Sequence, residues 1–149
     1  SEAIELVRCA FEKCDDLDPY WSNSTLDDPL VRINMADVLV QAGRRGHAGV
    51  DEPGLLQFVL VEMNGPVEEV RQRSLMILAY MGGPENVARI VDVAHSTDDL
   101  LTFRYAVIAL KRMNSGTAIN ALKELLRESD ERKRKHVSDL FENEIGYDL

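Results

Sequence analysis

Three histidines and two cysteines are the side chains best able to do chemistry in this chain, and their spacing keeps them apart. His47, His95 and His136 form no His-x-x-x-His pair, and none is followed by glutamate. A metal site built on a helix needs ligands about one turn apart, so no metal ion is expected. Cys9 and Cys14 lie five positions apart in one predicted helix, which points the two thiols in different directions. That spacing is not a Cys-x-x-Cys ligand pair and argues against a disulfide; it fits reduced, half-buried thiols in a cytoplasmic protein. The glycines form neither a phosphate-binding loop nor a dinucleotide fingerprint. The reading is a chain with no catalytic residue and no cofactor, and not an enzyme.

The basic run Arg132–Lys135, followed by His136, has the composition of a phosphate or nucleic-acid patch. Four consecutive positions wrap around a helix, so they cannot all meet one ligand. Ser129, Asp130 and Glu131 precede the run, complement the helix dipole and dilute its charge. A solvated terminal cap is expected there. The net charge of −9 also argues against nucleic acid. Charge is uneven, however: residues 1–103 carry 8 basic and 18 acidic groups, whereas residues 104–136 carry 9 basic and 4 acidic. An acidic body with one basic section suits oriented docking to a partner of mixed charge. No basic-then-apolar leader and no apolar run near eighteen residues is present, so neither a signal peptide nor a membrane span is expected.

Helical patterning must position whatever binds. Val31-Arg32-x-x-Met35-x-x-Val38-Leu39-x-x-Ala42-Gly43 recurs as Val70-Arg71-x-x-Ser74-x-x-Ile77-Leu78-x-x-Met81-Gly82. A looser copy is Thr102-Phe103-x-x-Ala106-x-x-Ala109-Leu110-x-x-Met113-Asn114, and a fainter fourth can be set on Lys133 with Leu140 in the leucine column. Such units cannot bury their apolar faces alone and must stack. Punctuation agrees: Asp28-Pro29, Asp51-Glu52-Pro53, Pro66, Pro84, Thr97-Asp98-Asp99 and Ser129-Asp130-Glu131 open helices. Gly43 is expected to end the first repeat helix at a positive-φ position. Phe58, Ile90 and Leu122 recur at a spacing of 32, as do Val61, Val93 and Leu125, and are expected to form the seam between hairpins. The first repeat is longer by seven, since Gly43 to Gly82 is 39 and Gly82 to Asn114 is 32; the extra residues fall in the Arg44–Gly49 loop.

Asp-x-x-Val-Arg-x-x-Ala-x-x-Ala-Leu-x-x-Leu-Gly, matched most closely over Asp28–Gly43 and Val70–Gly82, resembles the short HEAT-like repeats of phycobilisome-lyase type. The resemblance implies an all-α fold, a right-handed α-α solenoid of about four helical hairpins. The resemblance covers roughly residues 28–144, within one domain expected over residues 1–149: an N-terminal capping helix and irregular linker over 1–27, repeats over 28–65, 66–97 and 98–128, and a C-terminal capping helix and tail over 129–149. It also implies that Asp28, Arg32, Arg71 and Asp99 form a structural ladder bonded between neighbouring repeats. The third repeat departs from the pattern by placing Phe103 in the arginine column. Deoxyhypusine hydroxylases resemble this architecture but use His-Glu dyads, which are missing here.

The helix after Pro53 carries apolar residues nearly all round: Leu55, Leu56, Phe58, Val59, Leu60, Val61 and Met63. Sliding by 32 turns Val59 into Val91 and Lys123, Leu60 into Asp92 and Glu124, and Met63 into His95 and Arg127. One surface therefore grades from apolar to charged along the repeats. Either the N-terminal helix, with Tyr20 and Trp21, covers the apolar end, or that end is an exposed anchor. The expected function is a non-catalytic scaffold or adaptor that binds a protein partner on the second helices of the repeats. Val59 and Met63 would be its apolar anchors, and Arg89, Asp92, His95, Lys123 and Arg127 its polar selectors. Alternatives are a small acidic inhibitor or immunity-type protein, or a HEAT-like lyase or enzyme subunit. A monomer is expected.

Overall fold

The computed structural model describes residues 2–14 and 24–142; Tyr20 and Trp21 lie outside the described residues. Every α-helix among them follows from local sequence signals. They are α1 (Glu2–Glu12), α2 (Pro29–Arg44), α3 (Glu52–Glu62), α4 (Glu68–Met81), α5 (Pro84–Ser96), α6 (Leu100–Met113), α7 (Gly116–Glu128) and α8 (Glu131–Val137). Short 3-10 turns occupy Ser24–Asp27 and Ser138–Phe141, and no strand occurs among the described residues. The all-α reading holds.

Side-chain caps explain the N-terminal boundaries of α2, α3, α6, α7 and α8, whereas α5 starts on Gly83-Pro84 without one. The first backbone N–H groups of a helix have no partner within it, and a side-chain oxygen supplies one. Asp28 accepts from the Leu30 N–H at 2.8 Å, Asp51 from Gly54 at 3.0 Å and Asp130 from Lys133 at 2.8 Å. Asp99 accepts from both the Thr102 N–H at 3.0 Å and its hydroxyl at 2.6 Å. Ser115 caps α7 through the Ala118 N–H. At the other ends the expected stop at Gly43 is corrected, because α2 continues to Arg44 and the left-handed residue is Gly46, with φ +95°. His47 N–H bonds to Ala42 O and Gly46 N–H to Gly43 O, both at 3.1 Å, which is a Schellman closure. Gly43 is needed for space instead: a Cβ there would lie 3.0 Å from Val50 Cγ1.

Two compact units are distinguished, Ser1–Ile77 and Leu78–Leu149. In the first, α2 packs against α1 and α3. Phe11 of α1 meets Phe58 of α3 edge to face, with ring centroids 4.9 Å apart. The Arg32 guanidinium sits 4.7 Å from the Phe11 centroid and 5.4 Å from that of Phe58. In the second unit α5 packs on α6 and α6 on α7, while α5 also touches α7 and α6 touches α8. Contacts between alternate helices place α5 and α7 in one layer and α6 and α8 in another, the arrangement of stacked hairpins.

The arginine column acts on helix ends. Carbonyls in a last turn lack partners and carry the negative end of the dipole, so they attract cations. Arg32 Nη2 donates to Phe11 O at the end of α1 at 3.3 Å, and Arg71 Nη1 donates to Gly65 O, just past α3, at 3.0 Å. In the third repeat Phe103 fills that column and is fully buried. The cation comes from α8: Lys133 Nζ donates to Ala94 O of α5 at 3.1 Å and lies 5.2 Å from the Phe103 centroid. The solvated cap expected for this run is thereby corrected at Lys133, which is only 9% exposed. Its neighbours also serve the backbone, Arg132 bonding to Asp98 O and Arg134 to Ser129 O.

Arg104 secures the end of the described chain with paired 2.7 Å bonds to Asp139 and a 2.9 Å bond to His136 O. Its hydrogen bond and charge hold the Asp139 carboxyl below its ordinary pKa. A carboxylate with a depressed folded pKa contributes stability that is present above its unfolded pKa and lost as pH falls through the folded one. The Ser138–Phe141 turn is therefore expected to stay docked from pH 9 to about 5 and to loosen only below about pH 4. The Phe141 amide resonance followed against pH checks this. Loss between about pH 6 and 7 would assign the dependence to a histidine instead.

Candidate functional site

Val59 and Met63 do not reach the surface. Val59 is 0% exposed and Met63 7%, and with Leu55 they form the buried stripe of α3. The buried stripe of α5 runs through Asn86, Ile90 and Ala94, and that of α7 through Ala118, Leu122 and Leu126. From α3 to α5 these stripes align at a spacing of 31, and from α5 to α7 at 32. One residue of slip rotates a helix by about 100°, which exchanges core and surface positions. Both apolar anchors are thus corrected to core residues, and Val61, expected in the seam, is 60% exposed. Phe58 is half-buried under Phe11, so α1 covers part of the second apolar side of α3.

The five polar candidates lie together in the second unit, on α5 and α7. Val87, Ile90 and Ala94 bury one side of α5, leaving Asp92 and His95 exposed and Arg89 half-buried. Leu122, Leu125 and Leu126 do the same for α7, leaving Arg127 exposed and Lys123 half-buried. Their shared layer follows from the 32-residue period, which carries His95 onto Arg127 and Val91 onto Lys123. His95 Nε2 lies 3.4 Å from the Glu128 carboxylate and so bridges the two helices. The Arg89 guanidinium is held by Asn86 Oδ1 at 2.7 Å, and Asn86 in turn donates to Gly82 O at 2.8 Å.

Glu128 and Asn86 were not singled out by sequence reasoning. Glu128 is 33 residues beyond His95, one more than the repeat period, and that offset is the signal that could have paired them. Asn86 is a buried polar residue in a column that otherwise holds Leu55 and Ala118. Chemically, this surface offers hydrogen-bond donors and acceptors and charges of both signs on a firm two-helix support. Among the described residues, no cluster of three or more His, Cys, Asp or Glu side chains could hold a metal ion. No helix among them is long and apolar enough to cross a membrane.

A family model described as HEAT repeats matches residues 52–138, from α3 through α8. No curated protein and no solved structure matches the chain. The match spans more than half of the sequence and the paired helices that form α5–α8. With alternate helices in contact and the 32-residue period in place, the chain belongs to the HEAT-repeat family.

Proposed function

We propose that the chain is a non-catalytic interaction module that binds a protein partner across α5 and α7. HEAT repeats generally mediate protein–protein interaction. The observation that carries the reading is the gathering of Arg89, Asp92, His95, Lys123 and Arg127 on two adjacent packed helices. Apolar residues on the other side of each helix fix the support, so the polar side chains are presented with little backbone entropy to lose on binding. Mixed charge favours orientation and on-rate over raw affinity. The partner on this reading carries charges of both signs at matching positions, and Arg127 and Lys123 meet its carboxylates.

Reversing both cations tests it. Affinity capture from a lysate of the source organism should retain a protein on the wild type and retain about tenfold less on Lys123→Glu/Arg127→Glu. Circular dichroism should show the same helix content in both, since neither residue is in the core. Equal capture by the folded double variant would move the site off α7.

A further inference from the structure

The first unit contains a cavity of about 240 Å³ between α1, α2 and the start of α3. Its inner surface is apolar, formed by Phe11, Leu39, Val50 and Leu55. Arg8, Glu12 and Asp51 stand at its polar edge. Two departures from the repeat build it. One is α1, which lies before the first repeat; the other is the seven-residue insertion, which delivers Val50 and Asp51. Glycines make that delivery possible: Gly46 and Gly49 turn the loop at φ +95° and +82°. Gly43 gives Val50 room, and Gly54 leaves room for the Asp51 carboxylate.

Charge around the opening is acidic. Arg8 is shared between Glu5 at 2.9 Å and Glu12 at 2.7 Å, so one guanidinium faces two carboxylates. Glu5 also approaches the inserted loop, its Oε1 3.9 Å from where a Cβ on Gly49 would stand. Asp51 adds a third carboxylate, so Glu5, Glu12 and Asp51 outnumber Arg8 and the Arg32 guanidinium over Phe11 by one negative charge. The cavity is smaller than the roughly 300 Å³ at which small-molecule sites begin, which suits one side chain rather than a cofactor. A buried apolar anchor ringed by complementary charge is how peptide segments are held.

We infer that this cavity is a docking pocket for a basic segment of a protein partner, which inserts one large apolar side chain flanked by lysine or arginine. The pocket is separate from the α5–α7 surface and does not depend on it. An acidic flank would be repelled by Glu5, Glu12 and Asp51, so the pocket discriminates by charge as well as by shape.

The test titrates the full isotope-labelled chain with acetyl-Lys-Lys-Phe-Lys-Lys-amide, and separately with the peptide carrying glutamate in place of each lysine. The lysine peptide should shift the amide resonances of Gly49, Asp51, Gly54 and Leu55 and leave those of α5 and α7 in place. Asp51→Asn keeps an oxygen for the helix cap and removes the charge, so it should weaken binding about threefold. Val50→Phe fills the cavity and should abolish the shifts while helix content is retained. Equal binding of the two peptides, undiminished binding to a folded Val50→Phe, shifts centred on another element, or no shift at millimolar peptide would each overturn the proposal.

Discussion

Val59→Asp is expected to unfold the first unit, with loss of α2–α3 helix signal and a destabilisation of about 4 kcal/mol or more. Val59 is fully enclosed on α3 between the buried Leu55 and Met63. Substitution forfeits about 1.5–3 kcal/mol of apolar burial. It also places a carboxylate where no side chain of the surrounding apolar stripe can pair with it, so the group must either protonate or open the fold. A domain of this size has only about 5–15 kcal/mol in hand. Val61→Asp, two residues away and largely exposed, is the matched control and should change stability by less than about 0.5 kcal/mol. Thermal melts followed by circular dichroism distinguish the two. A Val59→Asp protein that melts within a few degrees of wild type would return Val59 to the surface.

Phe103→Arg should be strongly destabilising even though it restores the arginine of the repeat pattern. Phe103 is fully buried, and its ring already receives the Lys133 ammonium, which bonds to Ala94 O. An arginine there would bring a second cation to a site that has one, and would remove the ring that Lys133 covers. Loss of a buried aromatic costs about 3–5 kcal/mol, and the unpaired charge adds to it. Adding Lys133→Met to Phe103→Arg should recover at least about 1 kcal/mol, a coupling that denaturant melts of the four proteins would resolve. If Phe103→Arg instead raised the melting temperature, Lys133 would not be the substitute for the missing arginine.

Local chemistry was legible and tertiary register was not. Asp28, Asp51, Asp99 and Asp130 cap the helices they precede because a cap needs only the next three residues. Asn114 ends α6 in the left-handed conformation, at φ 48°, where the repeat elsewhere offers glycine. Gly43 misled because glycine has two uses, and here close approach to Val50 rather than positive φ selects it. The anchor assignment failed on a single residue. The chain between α3 and α4 shortens the period from 32 to 31, and a helix apolar on nearly every side gives no internal warning of that slip. Polar residues of α5 and α7 were easier to place, because both helices have one clear apolar stripe. Lys133 defied its basic neighbours because its burial depends on Phe103, thirty residues earlier.

Amide hydrogen exchange on the chain alone and bound to its captured partner would locate the binding surface on the helices themselves. Added protection is expected to concentrate in Pro84–Ser96 and Gly116–Glu128, with the strongest change around His95 and Lys123. Protection confined to α6 and α8, with α5 and α7 exchanging as in the free chain, would contradict that placement.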